Sequence, residues 1–238
     1  MTGAAPTAAT FVREHFRTPL TLVLLVAIPA FFVLVFASVL GEFARALGGT
    51  LHTESATAIS AGWAAAFLSG TLAFFQVSSS RRADRRLAAA GLGPARVAGA
   101  RLAAALTMGV LVSAVAFVTL WLRSGIGHPL HAAVAILSFA VIYTGVGALI
   151  GSFVTDPLEG SLLLILVFSL DVFSGPQMTS GGTFAWTPTR DAANLLVAAG
   201  GARNSPGADW LGTTVVALGA FAVALAAFGI AARTRGRR

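Results

Sequence analysis

TAISAGWAAAFLSGTLAFFQVSSSRRADRRLAAAGLGPAR, residues 57–96, sets a 21-residue apolar run directly against a cluster of arginines and then a glycine–proline break. About 20 apolar residues is the length a helix needs to cross roughly 30 Å of hydrocarbon. Residues Thr57–Val77 therefore predict a membrane span. Arg81, Arg82, Asp84, Arg85, Arg86 and Leu87 then sit among good helix formers, and Gly91, Gly93 and Pro94 end the segment. The stretch predicts a span followed by a short exposed helix of about Arg81–Ala90 at the membrane face. Anionic lipid head groups would attract its arginines.

Outward from this stretch, the pattern repeats. Apolar runs predict further spans at about Leu20–Leu40, Leu102–Leu122, Leu130–Phe153, Gly160–Phe173 and Trp210–Ala231. The fifth is cut short by Asp171 and by Gly175–Pro176. The expected fold is an all-α polytopic membrane protein with six transmembrane helices, forming one domain over residues 1–238. Composition agrees: 56% of residues are hydrophobic and 11% are charged, whereas soluble domains carry about 25% charged residues. Residues Met1–Ala9 are small and uncharged, and the first run is longer than a signal-peptide core. It is expected to remain as an anchor.

All sixteen basic residues are arginines. Placing both termini in the cytosol puts twelve of them inside and leaves Arg45, Arg123, Arg190 and Arg203 outside, as the positive-inside rule requires. The expected location is the cytoplasmic (inner) membrane. Arginines confined to the gaps between spans argue for membrane topology and against nucleic-acid binding. Before the first span, Ala8, Phe11, Val12, His15 and Phe16 share one helical face, with Arg13, Glu14 and Arg17 opposite. Residues 8–17 are expected to form an interfacial helix. Pro29 should kink the first span.

Local signals refine the rest. Gly147-x-x-x-Gly151 allows two helix backbones to approach closely. Thr155 or Asp156 can cap the fifth helix, with Pro157 opening it and Glu159 in its first turn. Residues 174–208 are too polar and broken to span and are expected to re-enter from the outer surface. Within them Thr187 should cap a short helix that opens with Pro188. Ala192, Leu195, Leu196 and Ala199 give that helix an apolar face, and the helix is expected to lie on, or dip into, the outer leaflet beside the fifth span.

The chain lacks the parts of several chemistries. With no cysteine, thiolate metal sites and cysteine nucleophiles are excluded. With no lysine, the phosphate-cradling G-x-x-x-x-G-K-[ST] motif is excluded. No histidine follows Ser174, which removes the rhomboid-like serine–histidine pairing. His128 and His131 have a metal-compatible spacing but no neighbouring carboxylate or cysteine, so no metal is assigned. Asp171 is the one ionisable residue inside a span. It is expected to accept backbone N–H groups of the re-entrant segment, or else to mark a polar point on a substrate path or an outer lock.

The order of these pieces resembles the permease subunit of type-2 ABC exporters. REHFRTPLTLVLLVAIPAFF (13–32), LAAAGLGPARVAGARLAAA (87–105), GALIGSFVTDPLEG (147–160) and DVFSGPQM (171–178) resemble successive segments of that family. Where many members carry glutamates in the cytosolic helix, this chain has four arginines and Asp84. The resemblance implies a partner: a dimer of a cytosolic P-loop ATPase, which would carry the ATP and Mg²⁺. No catalysis and no cofactor would belong to this chain. It also implies a second permease subunit, identical or homologous, around a central path, and a hydrophobic or amphipathic substrate such as a drug, antibiotic, lipid or peptide. The segment 79–101 would hold the coupling helix, and Phe11, Arg13, Phe16 and Arg17 the connecting helix. Phe67, Phe74, Phe75, Phe168 and Asp171 would face the path. Cofactor export, or a non-transport scaffold in immunity or signalling, are the alternative functions.

Overall fold

A computed structural model of the chain describes residues 19–87, 90–91, 93–154, 156–179, 187–199 and 210–234. The expected interfacial helix, with Phe11, Arg13, Phe16 and Arg17, lies outside the described residues. So do the side chains of Arg81, Arg82, Asp84 and Arg85. The described residues form helices and no strands, with one isolated antiparallel bridge between Gly48 and Thr179.

The helices run in order: α1 Pro19–Phe31, a π-helical turn Phe32–Phe36, α2 Ala37–Ala46, α3 Thr53–Leu87, α4 Pro94–Ser124, α5 Pro129–Phe153, α6 Pro157–Phe173, α7 Arg190–Ala199 and α8 Trp210–Thr234. Among the described residues, four helical stretches are long and apolar enough to cross a membrane. They are Val23–Ala46, Thr53–Ser80, Arg96–Ser124 and Pro129–Phe153. The protein is thus all-helical, with the character of a multi-pass membrane protein. The expected fifth and sixth spans fall on α6, of 17 residues, and α8, of 25.

Two expected boundaries change. The first helical stretch runs on to Ala46 rather than ending near Leu40. Pro29 lies inside α1, and the π turn follows three residues later, with Ala37 N–H donating to the Phe32 carbonyl. A proline removes one rung of the helical ladder, and a wider turn absorbs such a disturbance. The larger change is in α3. The span and the basic segment are one continuous helix of 35 residues, not a span and a separate short helix. Ser78 and Ser79 donate to the Phe75 carbonyl and Ser80 to the Gln76 carbonyl. These bonds keep polar side chains folded on the helix instead of ending it. The break comes where glycine and proline place it. Gly91 and Gly93 have φ of 97° and 74°, a region open to glycine, and Pro94 opens α4.

The core is built on α3, which α4, α5 and the α1–α2 segment surround. Glycines set the α3–α5 seam. Side chains added at Gly62, Gly147 and Gly151 would meet Phe139, the Gly70 carbonyl and the Phe74 carbonyl in turn. Residue numbers rise together on both helices, so α3 and α5 run parallel. The small-x-x-x-small spacing thus acts as the sequence suggests. In contrast, α6 runs antiparallel to α3, with Gly160 against the Phe74 ring and Gly175 against Trp63. Asp156 caps α6 through Oδ1, which accepts the N–H groups of Leu158 at 2.7 Å and Glu159 at 3.4 Å. One end of the bundle therefore gathers Leu87, Pro94, Phe153 and Pro157. The other gathers Thr53, Ser124, Pro129 and Phe173.

The short helix α7 departs from expectation at its start. It starts at Arg190, because Thr187, Pro188 and Thr189 form a turn in which the Thr187 carbonyl accepts Arg190 N–H. Its apolar residues Ala192, Ala193, Leu195, Leu196 and Ala199 are buried against α5, α3 and α8.

Candidate functional site

Aromatic rings on four segments meet along one line inside the bundle. Phe32 in the π turn stacks on Phe67 of α3, with centroids 6.0 Å apart and planes at 21°. Phe67 meets Phe168 of α6 at 5.1 Å. Phe168 meets Tyr143 of α5 edge-on at 5.9 Å. Phe36 extends the line, 4.9 Å from Phe32. Such pairs hold their helices by dispersion and ring electrostatics, each worth about 0.5–1.5 kcal/mol beyond burial. The π turn sets the azimuth of Phe32 and Phe36 relative to α1, since a wider turn rotates every residue after it about the helix axis. π turns recur at functional positions for this reason.

The line ends at Asp171, which is 3% exposed. Tyr143 Oη–H donates to Asp171 Oδ2 at 2.9 Å, and Thr189 Oγ1–H donates to the same oxygen at 2.7 Å. The Thr189 N–H also faces the carboxyl group, while Oδ1 has no partner in hydrogen-bonding geometry. Hydroxyl groups thus take the place expected of backbone N–H groups alone. The triad joins α5, α6 and the turn before α7. It ties the short buried helix to the long ones at a depth where a lone carboxyl group would be costly.

The four phenylalanines expected to face one path divide. Phe67 and Phe168 are brought together in the aromatic line. Phe74 is fully buried, its ring filling the space left by Gly160 between α3 and α6. Phe75 touches Phe74 at 5.0 Å but is 45% exposed. The basic segment lies on the last two turns of α3, where Ala83 and Arg86 are exposed and Leu87 is half-buried. At the opposite end His128 and His131 place their rings 5.2 Å apart, edge to face. No group of three or more metal-ligating side chains occurs among the described residues.

Sequence reasoning missed Tyr143, Thr189, Phe32 and Phe36. For Tyr143 a signal existed: it is the single tyrosine of the chain and lies within a span. A buried phenol and a buried carboxyl group each need a partner. No protein-family model matches the chain, and no curated protein or solved structure is detectably similar to it.

Proposed function

We propose that the chain is the membrane-spanning permease subunit of a type-2 ABC exporter, moving a hydrophobic or amphipathic compound out across the cytoplasmic membrane. The observation that carries this reading is the unbroken helix α3. Its 35 residues extend about 52 Å at 1.5 Å per residue, well beyond the roughly 30 Å of hydrocarbon. The excess is the arginine-bearing end, which turns back through Gly91 and Gly93 into α4. A force on this hairpin moves two long helices as levers, without a hinge to dissipate it. The helix α3 also carries Phe67, so displacement of the hairpin reaches the aromatic line directly.

In this reading α6 and α8 complete six crossings, both termini are cytosolic, and the turn and helix of residues 187–199 close the outer end through Asp171. A dimeric P-loop ATPase supplies hydrolysis, holding ATP and Mg²⁺. A second permease subunit faces α6, whose Leu158, Leu162, Ile165, Leu166 and Leu170 are exposed. The test is charge reversal. Arg85→Glu with Arg86→Glu, in full-length protein extracted from native membranes, should reduce co-purified ATPase at least about tenfold. That loss corresponds to about 1.4 kcal/mol or more of binding. Unchanged recovery and unchanged ATPase stimulation would overturn the assignment of the hairpin.

A further inference from the structure

Most hydroxyl groups on the long helices fold back on their own backbone. Those of Thr57, Thr71, Thr107, Thr119, Ser138 and Ser152 each donate to the carbonyl four residues earlier, at 2.7–2.9 Å. Ser69 on α3, Ser113 on α4 and Thr144 on α5 do not. Their oxygens are buried and have no hydrogen-bond partner. Ser69 and Thr144 are 0% exposed, and Ser113 is 6% exposed.

Two of these groups, Ser69 and Thr144, meet at Gly109 of α4. The position of a side chain there lies 3.3 Å from Ser69 Oγ and 3.5 Å from Thr144 Oγ1. Ser113 comes one turn later on the same face of α4. Ser69 and Thr144 are not hydrogen-bonded to each other. Both hydroxyls therefore stand beside the notch that Gly109 leaves on α4. We propose that this three-helix junction is a binding site for one internal water molecule. Ser69 and Thr144 hold it, and Ser113 is its third partner.

The chemistry favours water. A serine or threonine on a helix has a carbonyl acceptor one turn back at no cost in ordering, so turning away from it requires a better partner. Each hydroxyl group both donates and accepts, and a buried water satisfies two to four polar groups. Three neutral hydroxyls are too few ligands for a divalent cation, which takes six or more oxygens. Glycine at 109 matters here, because a Cβ would stand directly against both hydroxyls. The water would tie α3, α4 and α5 into one body, whatever the chain transports.

Two substitutions test this in the full-length protein in lipid nanodiscs. On helix propensity alone, Gly109→Ala should stabilise. With a water at the junction, the methyl group displaces it and strands the hydroxyls, and the unfolding midpoint should instead fall by about 3 °C. Gly109→Ser places a hydroxyl group near the same point and should recover most of that loss. A high-resolution structure should show density within about 3.2 Å of both Ser69 Oγ and Thr144 Oγ1. The proposal is overturned if Gly109→Ala is as stable as the native chain, or if Gly109→Ser is no better than Gly109→Ala. Finding both hydroxyls turned onto the carbonyls of Ala65 and Ala140, with no density between them, would also overturn it.

Discussion

Gly147→Leu is expected to leave little folded protein in the membrane. At this position α5 presses its backbone onto that of α3, and a Cβ would fall on the Gly70 carbonyl oxygen. Backbone cannot rotate away as a side chain can, so the two helices must part. The same seam carries Gly62 against Phe139 and Gly151 against Phe74, and separation at one level loosens the others. Overpacking of a tight core commonly costs about 1–3 kcal/mol. Here the obstacle is main chain, which puts the cost at the upper end, about 3 kcal/mol. Gly147→Ala should be milder but clearly destabilising, while leucine at exposed Gly219, where nothing stands within 4 Å, should be tolerated. Detergent-solubilised monodisperse yield and unfolding midpoint measure this. Equal yields for Gly147→Leu and Gly219→Leu would contradict the packing of α3 on α5.

The second large effect concerns Asp171. Asp171→Leu removes the acceptor of both Tyr143 and Thr189. Each stranded buried hydroxyl costs about 1–3 kcal/mol, so a total loss of about 3 kcal/mol is expected. Asp171→Asn keeps an oxygen of the same reach and should cost about 1 kcal/mol, near the scale of single hydrogen bonds between membrane helices. The location of the effect matters more than its size. Breaking the triad frees α7, so a cysteine placed at Ala192, 1% exposed in the native chain, should become reactive to an impermeant maleimide. The chain has no cysteine of its own, which makes the signal specific. If Asp171→Leu leaves that cysteine as protected as before, the triad does not hold α7 down.

Span length and apolar runs made the long helices legible, because bilayer thickness and helix rise admit few alternatives. The Asp156–Pro157 start of α6 and the Gly147–Gly151 spacing were legible too, since both act locally or through a generic close approach. The continuity of α3 was not. Ser78–Ser80 fall between the expected span and the expected short helix, but serine hydroxyls bonded to the preceding carbonyls let the helix continue. The surroundings of α7 were also hidden. An apolar face looks the same whether it meets lipid or protein, and only tertiary packing decides which. The same holds for Asp171: the sequence announced that it needed a partner, and only the fold brings Tyr143, 28 residues away, within 2.9 Å. The π turn at Phe32–Phe36 has a sequence antecedent in Pro29. The step from a proline to a wide turn depends on neighbouring packing.

The most direct measurement is a photo-crosslink from Ala83, an exposed position within the arginine cluster of α3. A photoreactive residue there, illuminated in native membranes, should yield an adduct with a cytosolic P-loop ATPase, and the same residue at Leu130 on the opposite end should not. An adduct with a protein of the outer face, or no ATPase adduct from Ala83 in folded protein, would contradict the account.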